Sequence, residues 1–122
     1  MKTLLHVIVS ISLIMLIVPL ALAQNLKFLD DAPMSHFTEE DMEMFLETAS
    51  DALDNAADGA EVSWKNPASG NHGTIVPVRT NLDDGKRCRV FRLMNHAGGL
   101  SSNVNLKACR DDVAGWQVVP ID

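Results

Sequence analysis

Apolar side chains recur with a helical period between residues 38 and 57. They fall at Met42, Phe45, Leu46, Ala49, Leu53 and Ala56, which is the spacing that places side chains on one face of an α-helix. Thr38 precedes this segment as a candidate N-cap, with Asp41 at the capping-box position. Gly59 offers a stop signal. The pattern predicts one amphipathic helix over about Thr38–Ala57, whose apolar face covers a sheet.

After residue 60 the apolar period changes from helical to two, which is typical of β-strands. Short turn-rich sequences separate the alternating segments, and short connections make neighbouring strands antiparallel. The strand segments are 61–66, 74–80, 86–95, 102–110 and 116–119. The expected fold class is α+β, with one N-terminal amphipathic helix packed on a four- to five-stranded antiparallel β-meander.

Two predicted turns define the register of this sheet. With Gly98-Gly99 as a two-residue turn, Phe91 faces Leu106 and Leu93 faces Val104. With Asp84-Gly85 as a second turn, the same two residues face Val78 and Val76 on the other side. Because both turns place apolar residues on one face, we expect a shared core. Its predicted members are Phe45, Leu46, Leu53, Trp64, Val76, Val78, Phe91, Leu93, Val104 and Leu106.

The chain has two cysteines, Cys88 and Cys109, and three roles are open to such a pair: a metal site, a reactive thiol and a disulfide. Zinc sites normally need four ligands, and neither CxxC nor HxxxH spacing occurs. Neither cysteine lies in a motif that supplies a catalytic base. The Gly98-Gly99 turn pairs the two cysteines directly, at a position where opposed α-carbons lie roughly 4.5 Å apart. This geometry favours an intramolecular disulfide.

Residues 1–23 have the pattern of a cleaved signal peptide: Lys2, a long apolar run and the small residues Ala21-Leu22-Ala23. The run is nearly long enough to be a membrane anchor, but Pro19 and the Ala-Leu-Ala ending favour cleavage. We therefore predict a flexible leader over 24–37 and a single domain over 38–122. The expected location is the periplasm or the outer membrane, without a stable membrane span, in an oxidising compartment where disulfides form.

Charge is distributed unevenly along the predicted mature chain. Residues 24–61 hold eleven acids against one base, whereas residues 62–122 hold five acids against eight bases. An acidic helix packed on a basic sheet explains this, and a basic surface that meets an anionic envelope polymer is the alternative. The excess of base is too small to predict nucleic-acid binding. The candidate contact residues are Arg79, Arg89, Arg92, Lys107 and Arg110.

The arginines near the cysteines have a second interpretation, as partners of acids on the helix. Arg89 falls on the predicted core face, and Arg87 lies opposite Arg110 in the predicted register. Ion pairs within the chain would satisfy such side chains. The candidate partners are helix acids such as Glu47, Asp51 or Asp54.

The sequence predicts no catalytic residue, no metal site and no cofactor. It has no nucleophile elbow, and residues 66–73 lack the lysine of a phosphate-binding loop. Asn66, Pro67 and Gly70 are typical of a hairpin turn. The register brings His72 and His96 close together, and we expect solvated polar side chains there. An enzyme is not predicted.

Several ordered motifs carry a family resemblance. The run VSWKNPASGNHGTIVPVRT over residues 62–80, followed by GKRCRVF, ACR and GWQVV, resembles the C-terminal domain of the rickettsial-type 17 kDa surface antigen family. The resemblance covers residues 51–119 and implies an envelope protein of Gram-negative bacteria, typically an outer-membrane lipoprotein, without catalytic residues. Members commonly carry a lipid-bearing cysteine and a glycine-zipper segment. Here Gln24 and an acidic leader and helix stand in their place, so a lipid anchor is not expected.

The function expected from these features is that of a non-catalytic exported envelope protein, a surface-antigen-like structural or binding module. The alternative is an inhibitor-like module that binds a protein or an anionic glycan through its basic sheet edge.

Overall fold

The computed structural model describes residues 32–121, and the predicted signal peptide and most of the predicted leader lie outside them. Within these residues, one α-helix, α1, precedes five strands that form a single antiparallel sheet in sequence order. The predicted α+β class with a β-meander is confirmed. The elements are a 3-10 helix at Pro33–His36, α1 at Glu39–Asn55, β1 at Val62–Lys65, β2 at His72–Asp83, β3 at Lys86–Ala97, β4 at Leu100–Asp111 and β5 at Gly115–Val119.

Helix α1 begins with the predicted capping box. The Thr38 hydroxyl accepts a hydrogen bond from the Asp41 backbone N–H at 3.1 Å, and the Asp41 carboxylate accepts one from the Thr38 N–H at 2.8 Å. The helix ends at Asn55, two residues earlier than predicted, with Ala56 in an extended conformation. Its C-terminus therefore lacks the glycine-based cap that Gly59 suggested, and side chains of β3 bind its last carbonyl groups instead.

The β3–β4 register agrees with the prediction, since Phe91 faces Leu106 and Cys88 faces Cys109. The β2–β3 register agrees only near the turn, because a β-bulge between Pro77 and Arg79 shifts it by one residue. Pro77 has no N–H to donate to the ladder, and bulges are among the few places where a sheet accepts proline.

The bulge changes which β2 side chains face the helix. Phe91 faces Pro77 and Leu93 faces Ile75, instead of the predicted Val78 and Val76. Ile75 is fully buried, whereas Val78 is 45 % exposed. The prediction that Val76 and Val78 belong to the core is wrong for this reason. The buried cluster consists of Phe45, Ala52, Leu53, Trp64, Ile75, Phe91, Leu93 and Ala108.

The inner face of the sheet, which is the face that packs on α1, is covered incompletely. Leu46 and Val104 were predicted to be buried, but their side chains are 56 % and 44 % exposed. A groove of about 220 Å³ separates α1 from the β4–β5 side of the sheet, with Leu46 on one wall and Val118 on the other. The helix thus covers the β1–β3 side more completely.

No helix in residues 32–121 has the length and apolar character needed to cross a bilayer.

The end of the predicted flexible leader is folded. Pro33 is buried, and Met34 and Phe37 pack against the core cluster. The Phe37 ring contacts the Trp64 ring edge-to-face, with centroids 5.0 Å apart. The packed structure therefore begins before Thr38, because apolar residues of the leader complete the core next to Trp64.

Candidate contact surface and the residues around the disulfide

The predicted disulfide is present between Cys88 and Cys109, which face each other on β3 and β4 with α-carbons 4.0 Å apart. Successive side chains of a strand point to opposite faces of the sheet. The disulfide therefore lies on the outer face, which is the face away from α1. Its neighbours in the sequence, Arg87 and Arg89, lie on the inner face.

Arg89 is buried, with 2 % of its surface exposed, and its guanidinium group binds the C-terminal end of α1. Nη1 donates to the carbonyl oxygens of Ala52 at 3.2 Å and Leu53 at 2.9 Å. Nη2 donates to the Ala56 carbonyl at 2.7 Å and to the Asp58 carboxylate at 2.9 Å. The planar guanidinium thus holds the helix end and the segment that follows it.

These hydrogen bonds satisfy backbone groups that the end of any helix leaves unpaired. The last four carbonyl groups of a helix have no partner within the helix, and the negative end of its dipole favours a cation. The last turn of α1 contains no basic residue, so the cations come from the sheet. Arg87 adds a hydrogen bond from Nη1 to the Asp54 carbonyl at 3.2 Å. The expectation that Arg89 belongs to a contact surface is therefore wrong.

Asp58 and Thr80 complete the surroundings of Arg89. Nε of Arg89 donates to the Thr80 hydroxyl at 2.9 Å, and that hydroxyl donates to the Asp58 carboxylate at 2.8 Å. The hydrogen bond from Arg89 is the largest cause that lowers the pKa of Asp58, followed by that from Thr80. The carboxylate therefore stays ionised. Asp58 was not among the predicted partners of the arginines, because this acid lies beyond the helix rather than on its face.

The Asp54 carboxylate accepts a second set of hydrogen bonds at the end of α1. Its Oδ1 atom accepts hydrogen bonds from Trp116 Nε1 at 2.9 Å and from Arg110 Nε at 3.4 Å. The Trp116 hydrogen bond is the largest cause that lowers the pKa of Asp54. The predicted ion pairing between the arginines near the cysteines and acids of the helix is thus correct for Arg110 and Asp54. Among the described residues, Glu47 and Asp51 form no such ion pair.

Asp41 forms a third polar cluster, at the other end of α1. Its buried carboxylate accepts hydrogen bonds from Asn66 Nδ2 at 2.8 Å, Ser69 Oγ at 2.6 Å and Asn71 Nδ2 at 2.7 Å, besides the Thr38 N–H. Burial acts to raise the pKa of Asp41, but these hydrogen bonds outweigh it and lower the pKa well below its usual range. The turn-forming residues of the 66–71 loop therefore also anchor the start of the helix.

The five candidate contact residues occupy different faces. Arg79 and Arg92 are exposed on the outer face, as diagonal neighbours on β2 and β3. Lys107 lies on the same face but is only 8 % exposed, and its ammonium group binds the Asp83 carboxylate at 2.7 Å. Arg110 is exposed on the inner face next to Asp54. The structure thus brings together Arg79, Arg92 and Lys107, and their role in binding stays a prediction.

Residues 51–117 match the family described as 17 kDa outer membrane surface antigen. The chain belongs to this family. In this member of the surface antigen family, the matched residues include the two cysteines of the disulfide, Arg89 with its carbonyl partners, and the 66–71 loop. Asp41 lies before the matched residues. The shared sequence therefore covers the end of α1, strands β1 to β4 and the first part of β5.

Proteins named 17 kDa surface antigen are similar to this chain over 82 residues, at 34 % identity. Examples come from Rickettsia prowazekii (strain Madrid E), Rickettsia bellii (strain RML369-C) and Rickettsia rickettsii, and each alignment covers 66 % of this chain and 52 % of the relative. The chain thus spans about half the length of these relatives. No solved structure matches it.

The disulfide is expected to contribute to stability and to nothing else. Replacing both cysteines with alanine should lower the free energy of unfolding by about 3 kcal/mol, because the cross-link restricts a loop of about twenty residues in the unfolded chain. Urea denaturation without reductant measures the change. The parent unfolded with reductant present serves as the control and should match the double variant. Two reactive thiols per chain in the unreduced parent would contradict the prediction.

Proposed function

We propose that this protein is a non-catalytic binding module of the Gram-negative cell envelope, exported by a cleaved signal peptide. In this proposal its outer face docks on an anionic envelope polymer. Membership of the surface antigen family supports the envelope location. The observation that carries the binding role is the separation of charge between the outer face and the helix.

The carboxylates that anchor the two ends of α1 support a non-catalytic role because they hold the fold together. Asp41, Asp54 and Asp58 each accept hydrogen bonds from side chains of the same chain, which lower their pKa values. A general acid or base works best with a pKa near the working pH. Carboxylates held ionised in this way are poor proton donors and weak bases at neutral pH, so they fit anchoring better than proton transfer.

The outer face has an excess of positive charge. Its two acids, Asp83 and Asp111, are bound by Lys107 and Lys86 respectively. Within the described part of the chain, Arg79 and Arg92 form no ion pair, and both are exposed. The exposed acids of α1, on the other side of the sheet, are Glu39, Glu40, Glu43, Glu47, Asp51 and Asp54, and of these Asp54 is paired with Arg110. A polyanion is therefore attracted to the outer face and repelled from the helix.

Binding of the untagged mature chain to purified lipopolysaccharide and to isolated peptidoglycan tests this proposal. We expect binding that weakens as salt is added, because the contact is ionic. The Arg79→Gln/Arg92→Gln variant should bind at least about tenfold more weakly, since each basic residue near an anionic surface contributes about 1 kcal/mol.

The matched control changes the net charge by the same amount at positions outside the strands that form the outer face. The Ala57→Glu/Val113→Glu variant adds two acids at exposed positions, and Val113 is 97 % exposed. Its affinity should stay within about twofold of the parent if contact at the outer face dominates. Equal losses in the two variants, or binding to neither polymer, would overturn the proposed function.

A further inference from the structure

Two histidines lie side by side at one end of the outer face. His72 on β2 directly faces His96 on β3, because the bulge moves the register by one residue from the predicted pairing. Their rings are stacked, with centroids 5.0 Å apart and planes at 24°. Both side chains are exposed, so a solute can reach either ring.

Hydrogen bonds at Nδ1 orient both rings. His72 Nδ1 lies 3.2 Å from the Gly70 carbonyl oxygen. Since a carbonyl only accepts, Nδ1 carries the proton and Nε2 of the neutral ring has a free lone pair. His96 Nδ1 lies 2.6 Å from the Ser101 hydroxyl, which leaves its Nε2 atom free in the same way when the hydroxyl accepts. Metal-binding histidines normally have one nitrogen held by such a partner.

The loop before His72 is held in place by the Asp41 cluster. Asn71 donates from Nδ2 to the Asp41 carboxylate at 2.7 Å, and its backbone carbonyl accepts from the Asn66 N–H at 2.9 Å. The backbone that carries His72 is thus anchored to α1, and His96 lies in a central strand. Ligands carried on rigid elements need little reorganisation to bind.

We propose that His72 and His96 form a two-imidazole site for a borderline divalent cation, with both Nε2 atoms as ligands. Imidazole nitrogen suits Cu²⁺, Zn²⁺ and Ni²⁺, and Cu²⁺ binds most tightly of these. Metal–nitrogen distances of about 2.0 Å require the two Nε2 lone pairs to converge on one ion, so the exposed rings must rotate out of their stacked arrangement when the metal binds. Water supplies the remaining ligands. Lys65, which faces His72 from β1, repels the cation and sets an upper limit on the affinity.

Titration of the untagged mature chain with Cu²⁺ and with Zn²⁺, followed by calorimetry, tests the site. We expect one equivalent to bind, with Cu²⁺ tighter than Zn²⁺, and the paramagnetic resonance spectrum of the Cu²⁺ form to show nitrogen ligands. His72→Gln and His96→Gln should each lower the affinity at least tenfold. Lys65→Met should raise it, because the repelling charge is removed.

His36→Gln is the matched control, since His36 lies in the 3-10 helix, where its ring packs against Gly98. This variant should bind like the parent, and so should Arg79→Gln/Arg92→Gln, which separates the metal site from the proposed polymer contact. Parental affinity in the His72→Gln or His96→Gln variant would overturn the inference. A loss of binding in His36→Gln as large as in those variants would do the same.

Discussion

Replacing Arg89 with methionine is expected to lower the free energy of unfolding by about 3–5 kcal/mol, the usual cost of removing one partner from a buried ionic network. Methionine keeps most of the aliphatic volume but none of the donors. The carbonyl groups of Ala52 and Leu53 then lose a partner in a buried environment, and Asp58 loses its cation. Urea denaturation of the unreduced protein, followed by circular dichroism, measures the change.

Two further variants make this result specific. Arg92→Met removes an exposed arginine from the outer face of the same strand, and should change the free energy of unfolding by about 0.5 kcal/mol or less. Arg89→Lys keeps the charge, but one ammonium group does not reproduce the planar fork that reaches both the helix carbonyls and Asp58. It should recover less than half of the loss. An Arg89→Met variant as stable as Arg92→Met would show that Arg89 does not anchor the helix.

Replacing Asp41 with alanine is expected to cost about 3–5 kcal/mol as well. The amide groups of Asn66 and Asn71 and the hydroxyl of Ser69 would lose a buried anionic acceptor, and unsatisfied buried donors are costly. Urea denaturation at neutral pH measures the loss. The control is Glu43→Ala, an exposed acid in the next turn of the same helix, which should have a small effect. Equal losses in both variants would contradict the anchoring role of Asp41.

The pH dependence of stability provides a second measurement of Asp41. Its pKa in the folded chain is lowered from the ordinary value of 3.8, so at acid pH the unfolded chain binds more protons than the folded chain. The stabilisation is therefore complete above that ordinary value and is lost as the pH falls below it. Asp54 and Asp58 act in the same direction. The parent should lose more stability than Asp41→Ala between pH about 6 and pH about 2, and equal losses would contradict the assignment.

Local patterns in the sequence predicted the elements well because the controlling interactions are local. The capping box of α1 involves residues three positions apart, and the β3–β4 register follows from the two-residue turn at Gly98-Gly99. The β2–β3 register failed beyond Pro77, since apolar alternation alone does not reveal a bulge. Proline within the strand was the signal for it, because a residue without an N–H interrupts the ladder.

The anchoring roles of Arg89 and Asp41 were harder to predict because their partners lie far away in the sequence. Arg89 binds backbone carbonyl groups more than thirty residues earlier. Because every residue type has the same carbonyl group, the sequence does not mark these partners. Its position on the core face was visible in the alternation, and this is the signal that indicates a buried role. The donors to Asp41 come from a loop 25 to 30 residues later, where they are also typical turn residues.

The alternation of faces at Arg87-Cys88-Arg89 limits how the length of the β3–β4 hairpin can change. Loss of one residue between Arg89 and Gly98 would shift one part of β3 by one residue relative to the other, and such a shift reverses the face of every side chain in the shifted part. Either the apolar residues or the cysteine and the arginines would then lie on the wrong face. The tripeptide would then direct its arginines to solvent and its cysteine to the helix. Insertion of a single residue is therefore compatible with the fold at the Gly98-Gly99 turn, whereas within β3 or β4 it reverses the faces of the strand unless a bulge absorbs it.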